Sequence, residues 1–325
     1  MSSVLLADIG GSASRFAVCA SGGRPEHVAI IDNESVSGAE AAIRRYLDDT
    51  GLAPQAAVLA VAGPVAGREI KLTNRDWRFS CDQIAEQFGF SAVHPINDFE
   101  ALAHALVMLR PDEVRALGQP WAPRPGPRAV LGPGTGLGVA ALVPHGKDWL
   151  ALASEGGHAS FGPAAEDERA VFQRIAHGRE FGGEFITAET VISGPGLERL
   201  YRALNPLSIP LEAPTIVDEA RAGATDARAA VDLFVRLLGR FAGDVALTLK
   251  ATGGVFIAGG VALKLGRLFD ETIFRAAFEH HPPYQDLLAA IPTSLVICHE
   301  PGLIGCAALA ARMFAQAQLP KVRAL

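Results

Sequence analysis

The chain reads as an α/β protein of two domains, on three observations. Apolar strand segments alternate with helix-period segments through both halves of its 325 residues. A pattern of apolar strand, glycine-rich turn and second apolar strand occurs twice, as VLLADIGGSASRFAVCA over Val4–Ala20 and as RAVLGPGTGLGVAALVP over Arg128–Pro144. Between them, QPWAPRPGPR at Gln119–Arg128 is dense in proline and polar residues and reads as an interdomain connection or long surface loop. The length suits two domains of ordinary size, each with material for a real core.

In the first half, strands are predicted at Val4–Ala7, Arg15–Ala20, His27–Asp32 and Ala57–Ala62. Helices are predicted at Gly38–Thr50, Cys81–Phe88 and Glu100–Leu109. Three strands in sequence followed by βα alternation imply a mixed sheet. Ser80, ahead of Cys81 and Asp82, is expected to cap its helix, with acid in the first turn. In the second half, Val139–Val143 reads as a strand and Leu204–Thr215 as irregular, broken by Pro206, Pro210 and Pro214. Ala229–Lys250 carries apolar residues at helical spacing over about six turns. It runs into ATGGVFIAGGVA at Ala251–Ala262, a buried strand bracketed by glycine pairs. Leu303–Gln318 reads as a helix rich in small residues.

An apolar content of 49% with 20% charged residues marks a globular chain rather than a disordered one. A net charge of −6 argues against nucleic acid or an anionic membrane as partner. Cys19, Cys81, Cys298 and Cys306 are widely spaced, with no C-x-x-C pair, so each reads as a small buried hydrophobe. The first residues show no basic region followed by a long apolar run, Asp8 interrupting the one candidate. No segment approaches the roughly 18–20 apolar residues of a membrane helix, so a cytoplasmic location is expected.

The two turns are Asp8-Ile9-Gly10-Gly11-Ser12 and Gly132-Pro133-Gly134-Thr135-Gly136. Glycines there let backbone N–H groups approach a ligand, and a Ser or Thr hydroxyl can donate to a phosphate oxygen. Two such hairpins suggest two related domains gripping one polyphosphate from opposite sides. Other phosphate loops fail. No G-x-x-x-x-G-K-[ST] string occurs, and a G-x-G-x-x-G count from Gly132 meets Leu137 at the third glycine, ahead of a strand rather than a helix. A Rossmann dehydrogenase is thereby disfavoured.

Asn97 and Asp98 follow a strand and precede a helix, the carboxyl-end position where α/β proteins build sites; such pairs also serve as caps and turns. In Ser154-Glu155-Gly156-Gly157-His158 the glycines allow an acid and an imidazole to point into one cavity and share neighbouring hydroxyls, or simply form a polar loop. Glu189 is an acid at a helix start, and Thr73-Asn74-Arg75-Asp76-Trp77 is a polar loop around an aromatic anchor.

Ordered motifs now run nearly end to end: ADIGGSASR at 7–15, VAGPVAG at 61–67, LTNRDWRFS at 72–80, INDFEA at 96–101, GPGTGLGVA at 132–140, EGGHASFGP at 155–163, AETVISGPGL at 188–197, GRFAGDVAL at 239–247, GGVFIAGG at 253–260 and PGLIG at 301–305. In these the chain resembles the bacterial glucokinase family, in its proteobacterial branch, which lacks the zinc-binding cysteine motif of the repressor-type sugar kinases. The resemblance implies a two-domain actin-like ATPase (ribonuclease H-like) fold with a cleft between a small and a large domain. The small α/β domain would be 1–110, completed by a C-terminal helix at 303–325, and the large one 111–302. It implies ATP- and magnesium-dependent phosphorylation of glucose at its 6-hydroxyl, the first step of glycolysis, by a homodimer. Asp98 matches the family's catalytic base. Asn97, Glu155, His158 and Glu189 match its glucose ligands. Asp8, Gly10, Gly11 and Ser12 match the first phosphate loop, with Asp8 beside the magnesium through water. Gly134, Thr135 and Gly136 match the second loop, and Gly259 and Gly260 a loop near the adenosine.

One departure stands out. The family's D-x-G-G-T-N-x-R pattern here reads Asp8-Ile9-Gly10-Gly11-Ser12-Ala13-Ser14-Arg15. Ser12 keeps a hydroxyl, but Ala13 has no amide, and Ser14 is expected to face the other way along the strand. Weaker ATP binding or another phosphate donor would follow. Pro133 stiffens the second turn and removes one N–H donor. The alternatives are a kinase for another hexose and a non-catalytic sugar sensor derived from the kinase.

Overall fold

The computed structural model describes residues 3–20, 23–73, 75–120, 124–178 and 185–317. Asn74, Trp121–Pro123 of the proline-rich connection and the end of the C-terminal helix region from Gln318 lie outside them. The chain divides into two units, 1–110 with 298–325, and 111–297.

The first unit starts with β1 (Ser3–Ile9), β2 (Ala13–Ala20) and β3 (Glu26–Asp32), an antiparallel meander. Helix α1 (Ala39–Thr50) crosses over to β4 (Ala56–Val61), which lies parallel to β1. Its buried residues Ala39, Ala42, Ile43 and Tyr46 follow helical spacing, and Gly51 in the left-handed region ends it by donating to Leu47 O. A short ladder of β5 (Glu69–Lys71) and β6 (Arg78–Ser80) precedes α2 (Cys81–Phe88) and β7 (Val93–Asn97), parallel to β4. Ser80 occupies the cap position of α2, but its side chain makes no capping hydrogen bond, contrary to the sequence expectation. Helix α3 (Asp98–Ala105) begins two residues before the predicted Glu100, because the Asn97 side chain accepts from Phe99 N and Glu100 N.

The second unit holds β8 (Val114–Leu117), β9 (Arg128–Pro133), β10 (Leu137–His145) and β11 (Asp148–Ser154). Helices α4 (Glu166–Ala176), α5 (Ala188–Val191), α6 (Gly194–Leu204) and α7 (Ala213–Arg221) follow. Pro214 therefore opens α7 rather than breaking an irregular stretch; proline is tolerated in a first helical turn because the N–H there has no partner to lose. Helix α8 (Thr225–Leu249) starts four residues before the periodic run suggested. Strand β12 (Gly254–Ile257), α9 (Gly260–Leu265), α10 (Glu271–Glu279), α11 (Gln285–Ala289) and β13 (Thr293–Val296) complete the unit, and the chain returns to the first with α12 (Pro301–Ala317).

The two main sheets repeat one plan. The first runs β3-β2-β1-β4-β7 and the second β11-β10-β9-β12-β13, with β8 added antiparallel at its edge. In each, a three-strand antiparallel meander ends at a central strand that pairs in parallel with a fourth, which pairs in parallel with a fifth. The repeated hairpin seen in the sequence is the start of this shared plan. Leu5, Ala7 and Ile9 of β1 face α1 and α2, whereas Val4 and Leu6 face α12 with Leu303, Cys306 and Ala307. Burial on both faces explains why β1 is a continuous apolar run. In the second unit, Leu131, Val139, Val255 and Ile257 share one large core with Phe234, Leu238 and Phe274 from the helices. Cys19, Cys81 and Cys306 are buried as expected, but Cys298 is only half-buried. No helix of the described residues is long and apolar enough to cross a membrane.

Candidate active site

In each unit the singled-out residues lie along the edge where the parallel strands end, since β1, β4 and β7 finish at Ile9, Val61 and Asn97. Asp8, on the last turn of β1, points to the N-terminus of α12: a Cβ added at Gly302 would stand 2.7 Å from its Oδ2. Arg15 lies opposite Asp8 on β2, and its Nε is 2.5 Å from Glu300 Oε2. Burial pushes Asp8 up to about 6, with Arg15 pulling it down and Glu300 pushing it further up.

The turn from Gly10 to Ala13 has all its carbonyls occupied. Gly10 N donates to Ala13 O at 3.2 Å, and Asn33 N donates to Ser12 O at 2.9 Å. The fully buried Asn33 amide donates to Gly10 O at 2.8 Å and to Gly11 O at 3.2 Å. Ser14 does face inward, as the strand alternation requires, and its hydroxyl donates to Asn33 Oδ1 at 2.7 Å. Nothing in the sequence marks Asn33 as part of this turn; only the β2–β3 pairing brings it there. Arg75, of the polar loop, adds a bond to Gly11 O and stacks on Trp77, which is the buried aromatic anchor.

Asn97 and Asp98 sit where β7 becomes α3. The Asn97 side chain caps α3, the alternative reading of the pair, and also donates from Nδ2 to Gly63 O at 3.1 Å. Asp98 Oδ1 accepts from Phe99 N at 2.9 Å. Burial first, and the charge of Asp8 second, raise Asp98 to about 6. A side-chain hydrogen bond from Asn97 to Asp98 favours the carboxylate form, working against the shift that burial causes.

In the second unit, Glu155 precedes a single 3-10 turn over Gly156–His158, with Gly156 N donating to Ser154 Oγ. Glu155 and His158 are exposed. Residues 159–161 pair with 186–188 through Ala188 N to Ala159 O and Phe161 N to Ile186 O, which brings His158 Nε2 within 4.0 Å of Glu189 Oε2. The same Glu189 oxygen accepts from Leu137 N at 2.8 Å, directly after the Gly134–Gly136 turn. Gly194 N fixes that turn from the other side by donating to Gly134 O at 2.8 Å. Gly259, whose φ of +100° caps α9, approaches Pro133 O so closely that a Cβ there would stand 2.7 Å away.

A cavity of about 440 Å³ opens beside this turn, wholly within the second unit. Gly134, Thr135 and Gly260 line it at one side, with Pro195, Val217 and Lys264 among the other walls. Its size and mixed lining suit a nucleoside. The α7 contribution escaped the sequence reading, because the prolines there read as loop. Among the described residues no His, Cys, Asp or Glu cluster of metal-binding composition occurs.

Paired sheets of one plan, each carrying a glycine turn and acids at its carboxyl-end edge, define a mixed α/β protein of the sugar-kinase type. The chain matches the Glucokinase family model over residues 5–313 and belongs to that family. It is 38% identical to a glucokinase of Ralstonia nicotianae, covering 94% of each chain. It is 40% identical to a bifunctional protein glk of Burkholderia orbicola over 94% of its own length but 48% of that protein's, so it spans about half of such relatives. The crystal structure of a glucokinase from an Antarctic psychrotroph superposes with a TM-score of 0.85 at 31% identity, covering 96% of this chain and 99% of that one. A ROK family glucokinase from Streptomyces griseus, solved with glucose and AMPPNP, shares the fold at a TM-score of 0.64 and 21% identity, over 95% of this chain and 99% of that one.

Proposed function

We propose that this protein is a glucokinase, transferring the γ-phosphoryl of ATP to the 6-hydroxyl of glucose. One observation carries the reading: Glu189 reaches the imidazole of His158 while accepting from Leu137 N beside the second glycine turn. A hydroxyl-binding acid and a phosphate-binding turn are thus hydrogen-bonded to each other inside one unit. The Streptomyces griseus protein, solved with glucose and an ATP analogue, is consistent with these substrates. On this reading the fold is the actin-like, ribonuclease H-like one.

Each residue then has a task. Glu155, His158, Glu189 and Asn97 engage sugar hydroxyls and orient the ring. Asp98 takes the 6-hydroxyl proton on Oδ2 while Phe99 N holds Oδ1 in place. The two glycine turns bind the phosphates, and the cavity beside Thr135 holds the nucleoside. The donor set also fits magnesium. Asp8 offers one carboxylate, whose pKa burial raises to about 6, and magnesium needs only one or two carboxylates beside substrate phosphates. Asp8 would hold magnesium through water, and the ion would supply neutralisation of the phosphate charge. The same reading places the enzyme in the cytoplasm, where ATP is at hand, as a homodimer.

The test is ADP release with ATP, magnesium and a panel of hexoses. Glucose-dependent turnover is expected; absence of turnover with every hexose, from protein that still binds glucose by calorimetry, would leave a sensor instead. A second outcome follows from Gly136. A Cβ there stands 2.5 Å from Glu189 Oε2, so Gly136→Ala must displace a carboxylate assigned to the sugar. Its glucose KM is expected to rise about tenfold, on the scale of one charged hydrogen bond, although residue 136 belongs to the phosphate turn. An increase confined to the ATP KM would contradict the shared role of Glu189.

A further inference from the structure

The missing amide at position 13 leaves open what shapes the first turn for phosphate. A turn binds an anion only if its N–H groups face the ligand and its carbonyl oxygens do not, since a carbonyl beside a phosphate repels it. Orienting carbonyls away requires donors on the far side to receive them.

Asn33 supplies most of those donors. Every polar group it owns is committed. Its Nδ2 reaches Gly10 O and Gly11 O at 2.8 and 3.2 Å, its backbone N reaches Ser12 O at 2.9 Å, and its Oδ1 accepts from Ser14 Oγ at 2.7 Å. Its own carbonyl accepts from Arg75 Nη2 at 2.9 Å, and Arg75 Nη1 adds a second donor to Gly11 O at 3.2 Å. Arg75 is in turn clamped by Glu34 Oε1 at 2.8 Å and by the Trp77 ring at 4.9 Å. Asn33 and Ser14 are both fully buried, so no water substitutes for either. With four carbonyls engaged inside, the N–H groups of Gly11 and Ser12 have no protein acceptor among the described residues.

We propose that Asn33, locked by Ser14 and backed by Arg75, is the positioning residue that turns the first glycine loop into a phosphate site, touching no ligand itself. The proposal rests on the glucokinase reading, because it takes the phosphate of ATP as the loop's ligand. It explains why Ser14 departs from an apolar residue on a buried strand face: its hydroxyl fixes which end of the amide points at the carbonyls. It also makes the loss of an amide at residue 13 compatible with an ordered turn.

The experiment compares ATP and glucose parameters in Asn33→Ala, Asn33→Asp, Ser14→Ala and Arg75→Lys, with calorimetry of ATP–magnesium binding and a melting curve for each. Asn33→Asp keeps the Ser14 acceptor but loses both donors, so it separates orientation from volume. Asn33→Ala and Asn33→Asp are each expected to raise the ATP KM about tenfold or more, the scale of two lost hydrogen bonds, with the glucose KM within about twofold of the parent. Ser14→Ala and Arg75→Lys are expected to give smaller rises of the same kind, and they carry the test if Asn33→Ala does not fold. An unchanged ATP KM and ATP affinity in folded variants, or equal rises for both substrates, would overturn the proposal while the parent enzyme's turnover stands. A parent protein that binds no nucleotide would overturn this proposal and the glucokinase reading together.

Discussion

Replacing Asp98 by asparagine is expected to lower kcat by about 10²–10⁴-fold, the usual worth of a positioned general base, while glucose still binds by calorimetry. The asparagine Oδ1 can keep the bond from Phe99 N, so geometry survives and only the proton acceptor is lost. The parent's pH profile should match. With Asp98 at about 6, the carboxylate needed as base is lost as pH falls, so kcat/KM drops about tenfold per unit below that value. Asp8→Asn removes the neighbouring charge that helps raise Asp98 and should move this limb to lower pH.

Stability should change in the opposite sense from activity. The folded-state pKa of Asp98 lies above its usual 3.8, so the fold holds the proton more tightly than the unfolded chain does. The ionised group therefore opposes folding at neutral pH, and this penalty fades as pH falls through about 6 toward about 4. Asp98→Asn should melt above the parent at pH 7 and level with it near pH 4. Retained kcat, or an acid limb that Asp8→Asn does not move, would remove Asp98 from the role of base.

The largest structural effect is expected at Gly305. Helix α12 packs on α3 within the first unit, and a Cβ at Gly305 would collide with the backbone of Ala101. A backbone atom cannot swing aside as a flexible side chain can, so even Gly305→Ala must push the two helices apart. Overpacking of this kind costs about 1–3 kcal/mol, and occasionally more. Helix α3 begins with Asp98, so its displacement should also reduce kcat. Denaturant unfolding measures the loss; a midpoint equal to the parent's would mean that the helices separate freely. Gly302→Ala, whose Cβ would meet the Asp8 carboxylate instead of backbone, should cost less stability and, on the proposed reading, weaken ATP–magnesium binding.

Much of this was legible from the chain. Strand and helix periods, the doubled glycine hairpin and the order of the motifs located most elements that bear a candidate residue, because those signals are local and repeat with the period of the backbone; helix α9, which Gly260 opens, was read as part of a strand over Ala251–Ala262. Misreadings fell where a local signal had two outcomes. Pro214 reads as a breaker but opens α7, and Ser80 stands at a cap position without capping. Asn97 is both cap and candidate ligand, which the sequence left open.

What the sequence determined by itself was the set of chemical groups and the elements that carry them: two hydroxyl-bearing glycine turns, an acid at a strand end, and an acid and imidazole separated by glycines. The tertiary structure alone decided which of these meet. It brings Glu189 to Leu137 N across 52 residues of chain, Asn33 to Gly10 O across 23, and Arg75 to Gly11 O across 64. The reason is physical. Local backbone preference depends on a residue and its near neighbours, whereas strand pairing and helix packing bring together residues that no sequence interval connects. The electrostatics of Asp8 and Asp98 likewise arise only once burial removes water from both.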